Sequence, residues 1–355
     1  MRIGILSYPL LFQREAGVQL QIRETTRALN RIGEHLGFGL QVELLGPHPA
    51  RLEDYDLIHV FSAAAGNHRI VEAAYDLGVP VVLTPLVSTG WNRACGAHAR
   101  LADHRHGTPG GPPLQSNYAQ TRRALQLASV VIALGETERK AIEEGFLIDP
   151  SKLRVFPNGV SAHLFEADGE LFRSRTGMRG PFVLMDGPIS PYRNQLGMAE
   201  ALADIALPFV LLGEAPERDQ EYLREVRAMR GVTCLGGMRH DPRMLASAYA
   251  AASVLVLPGQ GDCCAHTVFD ALAAGTPVVM SEACPLDLPE SGFALHQVTR
   301  DDALAQQKAV LRLIAQRPER ESVRALVRPF TWERAAAQIA GCYIDLVNCR
   351  SSAAA

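Results

Sequence analysis

Short apolar runs recur along the whole chain at intervals that leave room for a helix between neighbours, and this rhythm restricts the fold more than any other feature. In the first half the runs are Ile3, Ile5 and Leu6, then Val42 to Leu45, Leu57 to Phe61, Val79 to Leu83, Val130 to Leu134 and Leu153 to Phe156. A polar stretch around Glu166 to Arg179 intervenes. The second half then gives Phe182 to Met185, Phe209 to Leu212, Val232 to Leu235, Val254 to Leu257 and Pro277 to Met280. Runs of this kind fit strands covered on both faces, as parallel sheets require. After the first run, Ile22, Leu29, Ile32 and Leu36 fall on one face of a helix, with Gly33 and Gly37 near its end. Strand and helix alternating through both halves predict an α/β protein of two doubly wound, Rossmann-like sheets in tandem. Such sheets bind ligands outside the carboxyl ends of their strands, so two facing sheets predict a central cleft.

At 355 residues the chain suits two domains, each with its own core. Its 47% hydrophobic, 21% charged and 6% aromatic content describes a soluble globular protein with an aliphatic interior. A net charge of −3 removes the global basic field expected of a nucleic-acid binder, so no nucleic-acid partner is expected. The opening MRIGILSY enters a strand at once, with no export signal in view, and no apolar run is long enough to span a bilayer. Seven cysteines without framework spacing point to free thiols. The expectation is a cytoplasmic protein, attached at most peripherally to the inner face of the cytoplasmic membrane. No Gly-x-Gly-x-x-Gly follows the first strand and no P-loop occurs, which removes the support for dehydrogenase and P-loop readings.

Val87 to Tyr118, rich in Gly, Pro, His and Arg, breaks the rhythm and is expected to be a long loop. Arg93, Arg100, Arg105, Arg122 and Arg123 make its surroundings basic, as a solvated face or as a seat for an anionic or lipid-phosphate group. Cys95, His98, His104 and His106 have the side chains of a zinc site but not the spacing, and no metal is expected there. Cys263 and Cys264 read as small hydrophobes, and His59, inside a strand run, as a satisfied core residue.

Val155-Phe156-Pro157-Asn158-Gly159-Val160, followed by Phe165, resembles the V-x-P-N-G-V-D-x-x-x-F signature of family 4 retaining glycosyltransferases, with Ser161 in place of the Asp. Five further segments are similar to that family in the right order. They are Ala16-Gly17-Val18, Ala128 to Gly135 with Glu138, Gly187 to Gln195, Val232 to Gly236 with Leu245 and Tyr249, and Pro258 to Gly275. Phe330-Thr331-Trp332-Glu333 resembles the opening of the family's terminal helix. The resemblance implies the GT-B fold: an N-terminal, acceptor-side domain over 1–165 and a C-terminal, donor-side domain over 166–330. A helix over 331–355 would then pack back on the N-terminal domain.

The implied activity is transfer of a hexose from a nucleotide-diphosphate sugar to a glycan, lipid-linked or other acceptor, with retention of configuration. As negative charge builds on the leaving diphosphate, fixed cations and backbone N–H groups stabilise it. By resemblance Arg193 supplies the cation, and the helix opening at Ala265, His266 and Thr267 supplies N–H groups. The resemblance also implies that Gly17 and Gly187 let backbone approach the phosphates and that Gly237 and Met238 lie beside the nucleotide. Asp262 and Asp270, eight apart, occupy the positions of the family's two glutamates, at the donor sugar and at the ribose. Both are one methylene short, which withdraws each carboxylate by roughly 1.5 Å. Asp262 and Arg193 are thus the expected catalytic residues, with no metal or other cofactor. Other positions depart from the family. Pro188 stands where the first phosphate-binding Arg is expected, Cys263, Cys264 and Ala265 replace a glycine-rich turn, and Leu86 stands where relatives carry a His. The alternative reading is a catalytically weak or inactive GT-B pseudoenzyme that binds a nucleotide sugar or a partner.

Overall fold

The computed structural model describes residues 1–7, 17–36, 39–46, 51–64, 66–106, 116–238, 241–259, 266–282, 286 and 288–353, with 35–36, 104–106 and 350–353 by backbone alone. The chain divides into two units: Met1–Gly159 with Trp332–Ala355, and Val160–Thr331.

Unit 1 is built on β1 (Arg2–Leu6), α1 (Gly17–Leu36), β2 (Gln41–Leu44), β3 (Leu57–Phe61), α2 (His68–Asp76) and β4 (Val81–Thr84). It continues with α3 (Arg93–His106), α4 (Asn117–Leu127), β5 (Val130–Ala133), α5 (Glu136–Phe146) and β6 (Leu153–Val155), and recovers the terminal helix Trp332–Ala353. The strands form one parallel sheet in the order β2-β1-β3-β4-β5-β6. Every residue of β3 is buried because the sheet is covered on both sides. Ile58 and Val60 join a core with Val71, Leu83 and Leu125. Leu57 and Phe61 join the opposite core with Ile22, Leu29, Trp332 and Ile339. Period-two alternation along one strand therefore feeds two hydrophobic layers.

His59 lies in that second layer with no exposure. One ring nitrogen meets the Tyr343 hydroxyl at 2.6 Å and the other the Thr84 hydroxyl at 2.9 Å. Both polar ends of the imidazole are satisfied, as expected of a core histidine, and the terminal helix is thereby tied to β3 and β4. Burial holds the ring neutral, lowering its pKa to about 3.

The segment 87–118 is not the loop expected from its composition: α3 occupies Arg93–His106. Ala94, Ala97, Ala99, Leu101 and Ala102 favour helix, whereas the Gly-Pro cluster that suggested a loop begins only at Gly107.

Unit 2 comprises α6 (Glu170–Thr176), β7 (Val183–Asp186), α7 (Gln195–Leu202), β8 (Phe209–Leu212), α8 (Gln220–Ala228), β9 (Val232–Cys234) and α9 (Pro242–Ala251). Then follow β10 (Val254–Leu257), α10 (His266–Ala273), β11 (Val278–Ser281), β12 (Leu295–Val298), α11 (Ala303–Ala315) and α12 (Arg320–Ala325). Its parallel sheet runs β12-β11-β10-β7-β8-β9. In β7, Val183 and Met185 serve one core with Phe209 and Val254, and Leu184 serves the other with Leu255 and Leu272. Each sheet contains one place where consecutive crossovers leave in opposite directions: between β1 and β3, and between β7 and β10. Ligands of doubly wound sheets bind beyond the strand ends at such points.

Candidate functional site

The loops that leave the carboxyl ends of β7, β8 and β9 are joined sideways by backbone. Gly187 N–H donates to Leu212 O at 2.9 Å, Ile189 N–H to Glu214 O at 3.0 Å, and Gly213 N–H to Gly236 O at 2.9 Å. Closeness of this degree requires glycine. At Gly213, φ is 150° and a Cβ would stand 1.9 Å from the Gly187 carbonyl oxygen. The loop after β10 comes equally near the loop after β7, since a Cβ on Gly259 would lie 2.7 Å from Arg193 Cα and 2.9 Å from Tyr192 O. Four strand ends about the β7/β10 switch point thus make one continuous rim.

Within the rim, Gly187 has φ of 135°, and a side chain built there would reach 3.8 Å from the Arg193 guanidinium. Arg193 ends the short helical turn Pro191–Arg193. The fully enclosed side chain of Gln195 supports this segment, donating to Pro188 O at 2.9 Å and accepting from Ser190 N–H at 3.3 Å. The N-Q end of the motif is therefore the scaffold that fixes the arginine-bearing loop. Gly237 follows the left-handed Gly236, with Glu214 3.7 Å from where its Cβ would be, and Met238 packs half-buried against the unit 2 core.

His266 begins α10 and is buried, and Thr267 and Asp270 are half-buried. Residues 266 and 270 are one turn apart and so share a face of the helix. Asp262 and Ala265, with Cys263 and Cys264, lie outside the described residues. Gly17, the first residue of α1, belongs to unit 1. The structure therefore brings Gly187, Arg193, Gly237 and Met238 to one rim, with α10 following the β10 strand end.

Sequence reasoning overlooked four rim residues. Gly213, Glu214 and Gly259 each stand just beyond an apolar run, where a chain end meets the rim. The fourth is Asp186, the buried last residue of β7, which accepts a hydrogen bond from the Tyr249 hydroxyl at 2.8 Å. Tyr249 belongs to a family-like segment of the sequence, but its partner carries no motif of its own.

At the carboxyl edge of unit 1, Ser62 after β3 and Leu86 after β4 both adopt left-handed backbone, with φ of 72° and 55°. An αL leucine is costly, and such strain collects at functional edges. The next residue, Val87, is held by its N–H to Glu138 Oε1 at 2.7 Å, while Leu134 N–H donates to Oε2 at 2.7 Å. Glu138 is buried in α5, and desolvation pushes its carboxyl up to about 7 against the opposing pull of these two donors. Of the zinc set, Cys95 and His98 are exposed on α3, and the side chains of His104 and His106 lie outside the described residues. Among the described residues no three metal-binding side chains gather.

Two tandem parallel α/β units, each doubly wound about a switch point and the second with a glycine-lined rim there, have the architecture of the GT-B class. Residues 14–159 match the family described as glycosyl transferase 4-like domain, and residues 181–316 match glycosyl transferases group 1. The chain is 27% identical over 330 residues to a D-inositol 3-phosphate glycosyltransferase of Acidothermus cellulolyticus, with 84% of this chain and 69% of that one covered. Among solved structures it superposes on sucrose-phosphate synthase of Thermosynechococcus elongatus with a TM-score of 0.74 at 18% identity, over 98% of this chain and 99% of that one. HepE of Anabaena in complex with UDP gives 0.72 at 17% identity, over 97% and 100%. These structural likenesses establish the fold. With a family match in each half, the chain belongs to the group 1, family 4-type GT-B glycosyltransferases. No helix among the described residues is long and apolar enough to cross a membrane.

Proposed function

We propose that the chain transfers a hexose from a nucleoside-diphosphate sugar to a glycan, lipid-linked or other acceptor with retention of configuration, and that unit 2 holds the donor. The observation that carries this reading is the rim at the β7/β10 switch point, where Gly187, Gly213 and Gly259 let backbone close around the Arg193 turn. Arg193 would meet the diphosphate as a forked cation, and the N–H groups opening α10 at His266 and Thr267 would receive the developing charge. Asp270 would accept from the ribose hydroxyls and Asp262 from those of the sugar.

In the transfer, the bond from C1 to the diphosphate oxygen breaks and a bond from C1 to the acceptor oxygen forms on the same face. The acceptor proton passes to the departing phosphate oxygen, so no protein nucleophile enters the scheme. Cations and helix N–H groups together would replace a metal at the leaving group. HepE, a structural neighbour, has been seen with UDP and glucose, which supports a donor of this class. Acceptor binding on unit 1 and peripheral attachment to the cytoplasmic membrane complete the proposal.

The test is a transfer assay over a panel of nucleotide sugars with simple glycosides as acceptors, run in a chelator, with the product anomer read by NMR. Turnover with retained configuration is expected. Inverted product or an absolute metal requirement would overturn the scheme.

A further inference from the structure

A hollow of about 390 Å3 opens between α3 and α4 of unit 1, lined among others by Arg100, Asp103, Tyr118, Arg122, Arg123 and Gln126. We propose that it binds a phosphate group, borne either by a small soluble ester or by a lipid headgroup, on a different unit from the residues assigned to the donor diphosphate.

The floor of the hollow is fixed. Gly96 of α3 approaches α5 so closely that a Cβ there would lie 1.9 Å from Gly145 O. The buried Tyr118 ring stacks on Phe146 with centroids 4.9 Å apart. Its hydroxyl donates to Gly145 O at 2.9 Å and accepts from Arg100 at 2.8 Å.

Arg100 also donates to Gly145 O at 3.3 Å, and Arg122 Nε donates to Phe146 O at 3.2 Å. Two half-buried guanidinium groups are thus seated on the last carbonyls of α5, where a helix end favours cations. These contacts use one nitrogen of each, and a guanidinium has five N–H donors in a planar fork suited to phosphate oxygens. Arg123, from the same helix as Arg122, is oriented by Glu72 of α2 at 3.1 Å. With Arg123 paired to Glu72, two cations of the lining, Arg100 and Arg122, stand against one carboxylate, Asp103.

The shape and chemistry select a compact dianion. A phosphate monoester carries about −1.5 to −2 charges and three acceptor oxygens, which suit the remaining N–H donors of Arg100 and Arg122. A polynucleotide would need an extended basic track with rings for stacking, and the aromatic ring here is buried in the floor.

The test uses the full chain carrying Arg193→Ala, so that the donor loops contribute little. Inorganic phosphate is titrated by calorimetry, and flotation is measured with vesicles of phosphatidylcholine alone or doped with phosphatidic acid. Binding should fall about tenfold or more when Arg100→Gln and Arg122→Gln are combined. It should tighten about threefold in Asp103→Asn, a gain that a misfolded variant cannot imitate. Binding of inorganic phosphate without flotation assigns a soluble ester, and flotation confined to phosphatidic acid vesicles assigns a headgroup. Absence of both, or equal binding in the parent and both variants, overturns the site.

Discussion

His59 shows how far a residue can be argued from its surroundings alone. With both ring nitrogens satisfied and the ring wholly buried, the imidazole stays neutral in the folded chain down to about pH 3, whereas its ordinary value is 6.5. Between those values the unfolded chain binds a proton that the folded chain refuses. The stability contributed by neutral His59 is therefore complete above about pH 6.5 and is lost as pH falls towards 3, at about 1.4 kcal/mol per pH unit. Both tryptophans, Trp91 and Trp332, lie in unit 1, so their fluorescence in urea reports that unit. The stability of the parent should fall more steeply from pH 6 to pH 4 than that of His59→Gln. Parallel profiles would show that His59 takes up its proton without unfolding the unit.

Among the elements, the strand-end loops decide the site, and Gly259 is where two of them meet most tightly. Gly259→Ala would put a methyl group 2.7 Å from Arg193 Cα, where only backbone can yield. Overpacking of this kind costs about 1–3 kcal/mol. Because the displaced segment carries Arg193, nucleotide affinity should fall at least about tenfold. Gly180→Ala, with nothing within 4 Å of its Cβ, serves as the control. Unchanged affinity in Gly259→Ala would show that the rim is not the binding surface.

At this scale the sequence was largely readable. Among the described residues, eleven of the twelve strands coincide with apolar runs, because strands covered on both faces leave an unbroken hydrophobic signature. The exception, Leu295–Val298, is an edge strand of mixed exposure, and its Leu-His-Gln-Val gives no such run. α3 was hidden behind the Gly-Pro cluster that follows it. Arg193 and Gly187 were legible because a local motif contains them. Gly213 and Glu214 lie in no motif, and Gly259 lies in one that does not single it out, since their role is to receive the backbone of another loop, a relation that arises only once the sheet has ordered its strands as β10-β7-β8-β9. The αL backbone at Ser62 and Leu86 has no residue-type signal, neither being glycine or asparagine.

For the whole molecule, the account distributes work between two units that share an architecture but not a chemistry. Unit 1 has its polar network deep in the core at His59, Thr84 and Tyr343, and a basic hollow outside between α3 and α4. Unit 2 has its polar and glycine-rich residues at the switch-point rim. If the donor diphosphate is held by that rim, a cation in unit 2 should govern nucleotide affinity and a cation in the unit 1 hollow should not. Calorimetric titration of the chain with UDP, GDP, ADP and dTDP selects the diphosphate that binds, and the same titration is repeated on Arg193→Ala and Arg100→Ala. The account predicts that Arg193→Ala weakens binding by about tenfold or more, the worth of a charge-assisted contact, while Arg100→Ala stays within about twofold of the parent. Equal losses in the two variants, or full affinity in Arg193→Ala, would contradict it.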